Sequence, residues 1–223
     1  MKITFFIDFD GTITKKDTCV AMTQAFARGN WEEIELRWQR GEISTEECAR
    51  ETFKLFDASE EDLRNFLIEN MEVDDYFIPF LEFCRKRGHD IYILSDGYDF
   101  NIKTILKKYG IKDIPYFSNK LIIDGRKFDI ECQHSSGWCP QCGTCKAELI
   151  DKLKPRDGIS VYIGDGYSDV CAAKKADVIF AKGVLLSHCR KNDIPAIAYK
   201  DFSDIVDWAR SADSPVKPRQ NPL

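Results

Sequence analysis

A mainly apolar run of five residues, Ile3 to Ile7, leads straight into Asp8-Phe9-Asp10-Gly11-Thr12 near the start of the chain. A short β-branched and aromatic run of this kind reads as a strand buried on both faces. Such a strand needs a packed layer on either side, which narrows the fold to a few architectures. Two carboxylates at its carboxyl end are costly there, because an isolated charge loses much of its hydration on burial unless it is paired or binds a metal. Spaced two apart, one carboxylate can face a substrate while the other serves beside it as a proton donor.

Further short apolar runs at 91–94, 161–163, 178–181 and 196–199 alternate with amphipathic stretches. This alternation predicts an α/β fold with a mostly parallel sheet. The first three runs end in polar or glycine-rich turns: Asp8 to Thr12, then Ser95-Asp96-Gly97, then Gly164-Asp165-Gly166-Tyr167-Ser168-Asp169. In open α/β sheets, ligands bind at such strand ends.

No strand-like run occurs between 16 and 75. Helical spacing dominates instead, with Val20, Ala21 and Phe26, then Ile34 and Trp38, then Cys48, Ala49 and Phe53, then Leu63, Phe66 and Leu67. Ser44-Thr45-Glu46-Glu47 and Ser59-Glu60-Glu61-Asp62 read as helix starts, each an N-cap followed by acidic first-turn residues. The expectation is a helical bundle over 16–75, inserted after the first strand and capping the sheet edge, with Trp31 and Trp38 in its interior. The catalytic core would then comprise 1–15 and 76–212. Lys120 to Ile123, Asp124-Gly125 and Lys127 to Ile130 form a β-hairpin signature, expected within a small insertion over 116–145. The tail 213–223, rich in Pro, Ser and Lys, is expected to be flexible.

A formal net charge of -5 gives no general basic footprint for nucleic acid. Arg85-Lys86-Arg87 and Lys174-Lys175 read as solvated helix surface. The apolar run ended by Asp8 is too short for a signal core or a membrane span, so a cytoplasmic chain with no membrane partner is expected. His89 and His188 are expected at the surface or at helix ends. Nothing in the sequence marks an oligomeric state.

Nine cysteines are present, of which Cys19, Cys48, Cys84, Cys171 and Cys189 are scattered and read as small buried hydrophobes. Cys132, Cys139, Cys142 and Cys145 are clustered. Three readings stand open for them: a structural Zn²⁺ held by Cys139, Cys142 and Cys145 with Cys132 or His134, a disulfide, or free thiols lining the site.

Collected at neighbouring strand ends, Asp8, Asp10, Asp165 and Asp169 would repel one another unless cations compensate. Lys146, which opens a helical run just after the cysteine cluster, can offset one charge. Mg²⁺ can offset two more, since it accepts carboxylates, waters and a substrate phosphate. Ser95 adds a hydroxyl donor, and Gly97 would let backbone N–H groups approach an anion. These groups would surround a phosphoryl group and leave its phosphorus facing Asp8. Asp17, Tyr98 and, within this turn, Asp96 are candidates to bind a small phosphorylated metabolite, and Arg50 is a further candidate to face it.

The ordered set resembles the haloacid dehalogenase superfamily of aspartyl-phosphate phosphotransferases, in the branch near phosphoserine phosphatase. The resemblance runs from Ile3 to about Phe202 and implies a Rossmann-like core. It further implies that Asp8 is the nucleophile and a Mg²⁺ ligand, and that Asp10 is the general acid and base, with its carbonyl on the metal. By the same resemblance Thr12 orients the loop, Ser95 and Lys146 hold phosphate oxygens, Asp165 binds Mg²⁺, and Asp169 supports the metal shell and Lys146. The phosphoserine enzymes usually carry Glu where this chain has Asp17. The cysteine-rich stretch ending on Lys146, with Gly11-Thr12-Ile13-Thr14 and Tyr98-Asp99-Phe100, resembles instead the 2-hydroxy-3-keto-5-methylthiopentenyl-1-phosphate phosphatases of methionine salvage. The expected activity is Mg²⁺-dependent phosphatase chemistry on that kind of ester. The alternatives are a phosphoserine phosphatase, a phosphotransferase to an acceptor hydroxyl, and a non-catalytic binding module.

Overall fold

The computed structural model describes residues 2–213, so the tail expected from 213 onward lies, beyond Asp213 itself, outside the described residues. Strand β1 (Ile3–Ile7) is buried along its whole length. It pairs in parallel with β2 (Asp90–Tyr98) on one side and β5 (Ile159–Gly164) on the other. Its side chains alternate between two apolar layers. Ile3, Phe5 and Ile7 join one, while Phe6 joins Leu94 and Tyr162 in the other.

The full sheet has seven strands in the order β4-β3-β2-β1-β5-β6-β7, with β3 (Tyr116–Asp124), β4 (Lys127–Glu131), β6 (Val178–Ala181) and β7 (Ile197–Ala198). All pairs are parallel except β3–β4. Because β2 and β5 lie on opposite sides of β1, the strand order reverses at β1. A crevice opens at the carboxyl ends of these three strands, where such folds bind ligands.

Two strand expectations change in detail. Ser95-Asp96-Gly97 is not a turn after β2 but part of it. The pairing with β3 slips there, from Leu94 opposite Phe117 to Tyr98 opposite Asn119, so the segment bulges toward the crevice. The hairpin is also no mere appendage. The first half of β3 pairs in parallel with β2, and the second half turns back onto β4 as an edge pair.

Four helices fill the inserted segment 16–75, as the periodicity predicts: α1 (Thr18–Phe26), α2 (Trp31–Gln39), α3 (Thr45–Phe53) and α4 (Glu60–Asn70). Both expected capping boxes form, Ser44 with Glu47 and Ser59 with Asp62. The chain leaves and rejoins the core through a two-stranded stem. Thr14 bridges Val73, Lys15 N donates to Glu72 O at 2.9 Å, and Asp74 N donates to Ile13 O at 2.8 Å. Phe53 and Phe56 of the cap meet Phe128 of β4 at ring distances of 5.9 and 5.8 Å, fastening the cap to the sheet edge.

Six more helices complete the layers: α5 (Phe77–Arg87), α6 (Asp99–Lys108), α7 (Lys146–Leu153), α8 (Val170–Ala173), α9 (Gly183–Lys191) and α10 (Phe202–Asp213). Phe202 of α10 stacks edge-on to Phe77 of α5 at 4.9 Å. His89 is not at the surface. It is buried between the Phe5 and Phe83 rings and accepts a hydrogen bond at Nδ1 from Ile3 N, because it sits in the turn between α5 and β2 beneath the amino end of β1.

Candidate active site

The chain turns sharply after β1. Gly11 takes φ of +76°, and a Cβ there would lie 2.6 Å from Asp165 Oδ2, so both conformation and space demand glycine. The tightness of this loop lets β1 and β5 bring their carboxylates together. Oxygens of Asp8, Asp165 and Asp169 all lie within 4.8 Å of one another. Thr12 Oγ1 donates to Asp165 Oδ1 at 2.6 Å, tying the two loops.

Lys146 is 2 % exposed and enters this centre from the start of α7. Its ammonium donates to Asp8 Oδ1 at 2.6 Å, Asp169 Oδ1 at 2.7 Å and Ser168 Oγ at 3.0 Å. Burial works against its charge, but the Asp169 and Asp8 carboxylates outweigh that and push its pKa above the usual lysine range. Asp169 is saturated: Asp165 N and Gly166 N both donate to Oδ2 at 2.9 Å, and Tyr162 OH adds to Lys146 on Oδ1. It is therefore a brace. Burial raises Asp8 well above the usual carboxylate range, with Asp169 adding and Lys146 opposing, and burial also raises Asp165, to about 6.

Three carboxylates against one bonded ammonium leave a negative centre in a low-dielectric site. A hard divalent cation with oxygen ligands relieves that imbalance, so the set fits Mg²⁺. With Asp169 fully engaged by donors, Asp8 and Asp165 are the side chains left to hold it.

Asp10 points the other way, toward the cap. Thr18 N donates to its Oδ1 at 3.1 Å, the Thr18 hydroxyl makes a very short bond to the same oxygen, and Ser95 Oγ donates to Oδ2 at 3.2 Å. Burial raises its pKa, and these hydrogen bonds oppose the rise. Thr18 is itself held by Asn101 Nδ2 at 2.8 Å. Neither Thr18 nor Asn101 stands out in the sequence, since each lies in an ordinary helical run. Ser168 was visible only as part of the Gly164–Asp169 turn.

Ser95 is fully buried and accepts from Gly97 N at 2.9 Å, so the Gly97 N–H expected to meet an anion is already engaged. Gly97 is needed for space instead, as a Cβ there would sit 2.4 Å from Asp10 Oδ2. Asp96 is a joint between regions. It accepts from Thr45 Oγ1 of α3 at 2.7 Å, from Thr144 N at 2.7 Å and from Asn119 Nδ2 at 3.2 Å.

These groups open into a cavity of about 370 Å³ between core and cap. Its cap wall includes Asp17, Val20, Trp31, Glu35, Trp38, Cys48 and Ala49, and Tyr98 lines it from β2. Asp17 also caps α1, accepting from Val20 N at 2.9 Å. Enclosure by the cleft walls, then the Asp10 carboxylate, raises its pKa to about 7, while the hydrogen bond from Val20 N opposes the rise. Trp31 and Trp38 are not interior to the cap as expected. No residue of α2 is buried, and Trp38 reaches across to the Tyr167 ring at 6.4 Å. Arg50 does not face the cavity either. It pairs with Glu46 at 2.7 Å and with Asp129 of β4 at 2.8 Å.

The zinc expectation does not hold. Among the described residues the clusters of three or more candidate ligands are Asp8/Asp165/Asp169 and Asp10/Asp17/Cys19, with no convergence of Cys132, Cys139, Cys142, Cys145 or His134. Cys132 follows β4 and packs against the main core, and Cys145 is buried as the N-cap of α7, so the backbone holds these two sulfurs apart. All nine cysteines are free thiols.

The family profile of haloacid dehalogenase-like hydrolases matches residues 5–174, which take in most of β1, the cap and every carboxylate described above. The chain belongs to the haloacid dehalogenase-like hydrolases. It is 30 % identical over 208 residues to the 2-hydroxy-3-keto-5-methylthiopentenyl-1-phosphate phosphatase of Brevibacillus brevis, covering 92 % of this chain and 94 % of that protein. The protein of the same name from a Bacillus cereus strain is 33 % identical over 213 residues, covering 92 % and 94 %. In fold, this hydrolase is similar to a phospho-aspartyl intermediate analogue of phosphoserine phosphatase, with TM-score 0.68, 20 % identity and coverage of 93 % and 98 %. No helix among the described residues is long and apolar enough to cross a membrane.

Proposed function

We propose that this hydrolase is a Mg²⁺-dependent phosphatase that transiently phosphorylates Asp8. Lys146 engages Asp8 Oδ1, so Oδ2 is the oxygen assigned to attack on phosphorus. As the phosphorus–oxygen bond of the ester breaks, Asp10 gives its proton to the leaving oxygen; burial favours the protonated form that this step needs. In the second half, Asp10 takes a proton from water as that water attacks the phosphoryl group, releasing inorganic phosphate and restoring Asp8. Ser95 and Lys146 are the donors assigned to the phosphate oxygens, Ser95 giving up its bond to Asp10 and Lys146 its bond to Ser168 to reach them. Bound Mg²⁺, held by Asp8, Asp165 and the Asp10 carbonyl, would supply positive charge against the phosphoryl oxygens.

The substrate proposed is 2-hydroxy-3-keto-5-methylthiopentenyl-1-phosphate, the ester named for the relatives above. The observation that carries this choice is the cavity lining, which contains no lysine or arginine among the described residues. Phosphoserine would find Asp17 and Glu35 for its ammonium, but no cationic side chain among the described residues lines the cavity to meet its carboxylate. A neutral tail with a thioether instead meets Val20, Trp31, Trp38 and Ala49, and enol hydroxyls can donate to Asp17 and Glu35.

Phosphate release from the methylthiopentenyl ester and from phosphoserine, each with Mg²⁺ and with a chelator, tests the reading. Preference for the thioether by at least about tenfold in kcat/KM is expected, with loss of turnover in chelator. Equal turnover of phosphoserine would overturn the substrate assignment. Asp8→Asn should lower kcat by more than about 10⁴-fold while the fold is retained; retained turnover would remove Asp8 as nucleophile. Phosphate recovered on an added alcohol rather than in solution would make the enzyme a phosphotransferase.

A further inference from the structure

The loop that delivers Lys146 borders a second cavity, of about 380 Å³, lined by Cys139, Cys142, Cys145 and Cys171 together with Lys146 and Ser168. Within it, the Cys139 and Cys142 sulfurs lie 3.3 Å apart as free thiols. A disulfide requires a separation of about 2.0 Å, so roughly an ångström of movement would close the bond.

The residues between this pair grip the cap. Gln141 O accepts from Thr45 N at 2.8 Å, and Gln141 Nε2 donates to Gly41 O at 2.9 Å. Thr45 opens α3, and its hydroxyl accepts from Trp38 Nε1 at 3.1 Å and donates to Asp96 Oδ2 at 2.7 Å. Just downstream, Thr144 N holds the other Asp96 oxygen at 2.7 Å. The two cysteines thus bracket the contact by which a core loop holds the cap over the cleft.

We propose that Cys139 and Cys142 form a thiol–disulfide exchange site for a small-molecule disulfide, and that the bond they form restrains the cap. The Cys139 thiolate attacks one sulfur of the reagent, forming a mixed disulfide and expelling one thiolate. Cys142 then passes its proton to that thiolate and attacks Cys139 Sγ, expelling the second. Two electrons pass from the protein pair to the reagent, which leaves as two thiols carrying the two protons. Burial pushes the Cys142 thiol up, which suits the resolving role, whereas the first attack falls to Cys139. The closed ring fixes Pro140 and Gln141 and with them the grip on Thr45 and Gly41. Since the cap must lift to admit an ester and release phosphate, oxidation slows turnover. This last step rests on the phosphatase reading; formation of the bond does not.

The test treats the reduced full chain with oxidised glutathione, blocks remaining thiols, maps peptides by mass, and assays an aryl phosphate with Mg²⁺. A Cys139–Cys142 crosslink two hydrogens lighter is expected, with kcat lowered about threefold or more and restored by dithiothreitol. C139S and C142S should each keep the reduced rate and lose the response. The 40–45 segment should become more resistant to limited proteolysis in the oxidised wild type only. No crosslink, a crosslink through Cys145 or Cys171 instead, or a Cys139–Cys142 crosslink that leaves rate and proteolysis unchanged would overturn the proposal. If the reduced chain released no phosphate at all, the functional reading would fail, while the peptide map and proteolysis would still decide the exchange site and its hold on the cap.

Discussion

On the sheet side of the cleft, Asp169 accepts four hydrogen bonds and Asp8 is bound to a buried lysine, whereas on the cap side Trp38 is pinned through Nε1 and Val20, Ala49 and Trp31 offer mainly surface. The first wall is fixed before any ligand arrives, as electrostatic catalysis requires. The second is mostly open surface, apart from Thr18 and Thr45, which hold Asp10 and Asp96. In the proposed reading, reaction type rests mainly on the first wall and substrate choice mainly on the second.

Removing the cation that holds the sheet side should break this contrast most severely. Lys146→Met leaves Asp8 and Asp169 buried without their shared partner, so a loss of about 3–5 kcal/mol in folding stability is expected. Turnover of any phosphate ester should fall by more than about a hundredfold. Denaturant unfolding and an aryl phosphate assay check both. A variant that keeps wild-type stability would show that the negative centre is balanced some other way.

On the cap side the effect should be smaller and of another kind. Trp38→Ala removes the ring facing Tyr167 and is expected to raise KM about three- to tenfold with kcat little changed. A matching fall in kcat would mean that Trp38 acts on the chemistry, and the division between the walls would fail.

The smallest effect concerns the far end of the sheet. Partial burial disfavours the charged Asp177, but hydrogen bonds from Ser160 Oγ at 2.6 Å and Ser160 N at 2.9 Å, with Lys154 Nζ at 2.9 Å, outweigh it and bring the carboxyl to about 2. With a folded pKa below the unfolded 3.8, the unfolded chain binds more protons between these values. The stabilisation is thus present above pH 3.8 and lost as pH falls toward 2. Relative to wild type, Asp177→Asn should flatten the stability profile across that window, by well under about 1 kcal/mol for so exposed a group.

The sheet wall was legible because its residues follow strand ends, where an apolar run stopping at Asp or Gly has few other meanings. Asp8, Asp165 and Lys146 could be assembled before any coordinates, and the structure brings them together. The cap wall was not legible in the same way. Helical spacing marks Trp38 as facing something apolar, but it does not say whether that is a neighbouring helix or a cavity. Thr18 and Asn101 escaped notice because a hydroxyl and an amide in helices acquire meaning only from Asp10 across the cleft. His89 sits at a helix end, as expected, but is buried, because Phe5 and Phe83, distant in sequence or on the preceding helix, close over it. The cysteines mislead by spacing alone, since short sequence separations do not turn four sulfurs toward one point.

The stem at Thr14 and Val73 has a wider consequence. Because the two crossings are already hydrogen-bonded to each other, whatever lies between them is closed at its base independently of its length or content. Descendants of such a gene could lengthen, shorten or reshape much of the intervening module and leave the core in register, provided Thr18 on Asp10 and Thr45 on Asp96 keep their places. A lineage built this way can acquire new metabolites by trading lids.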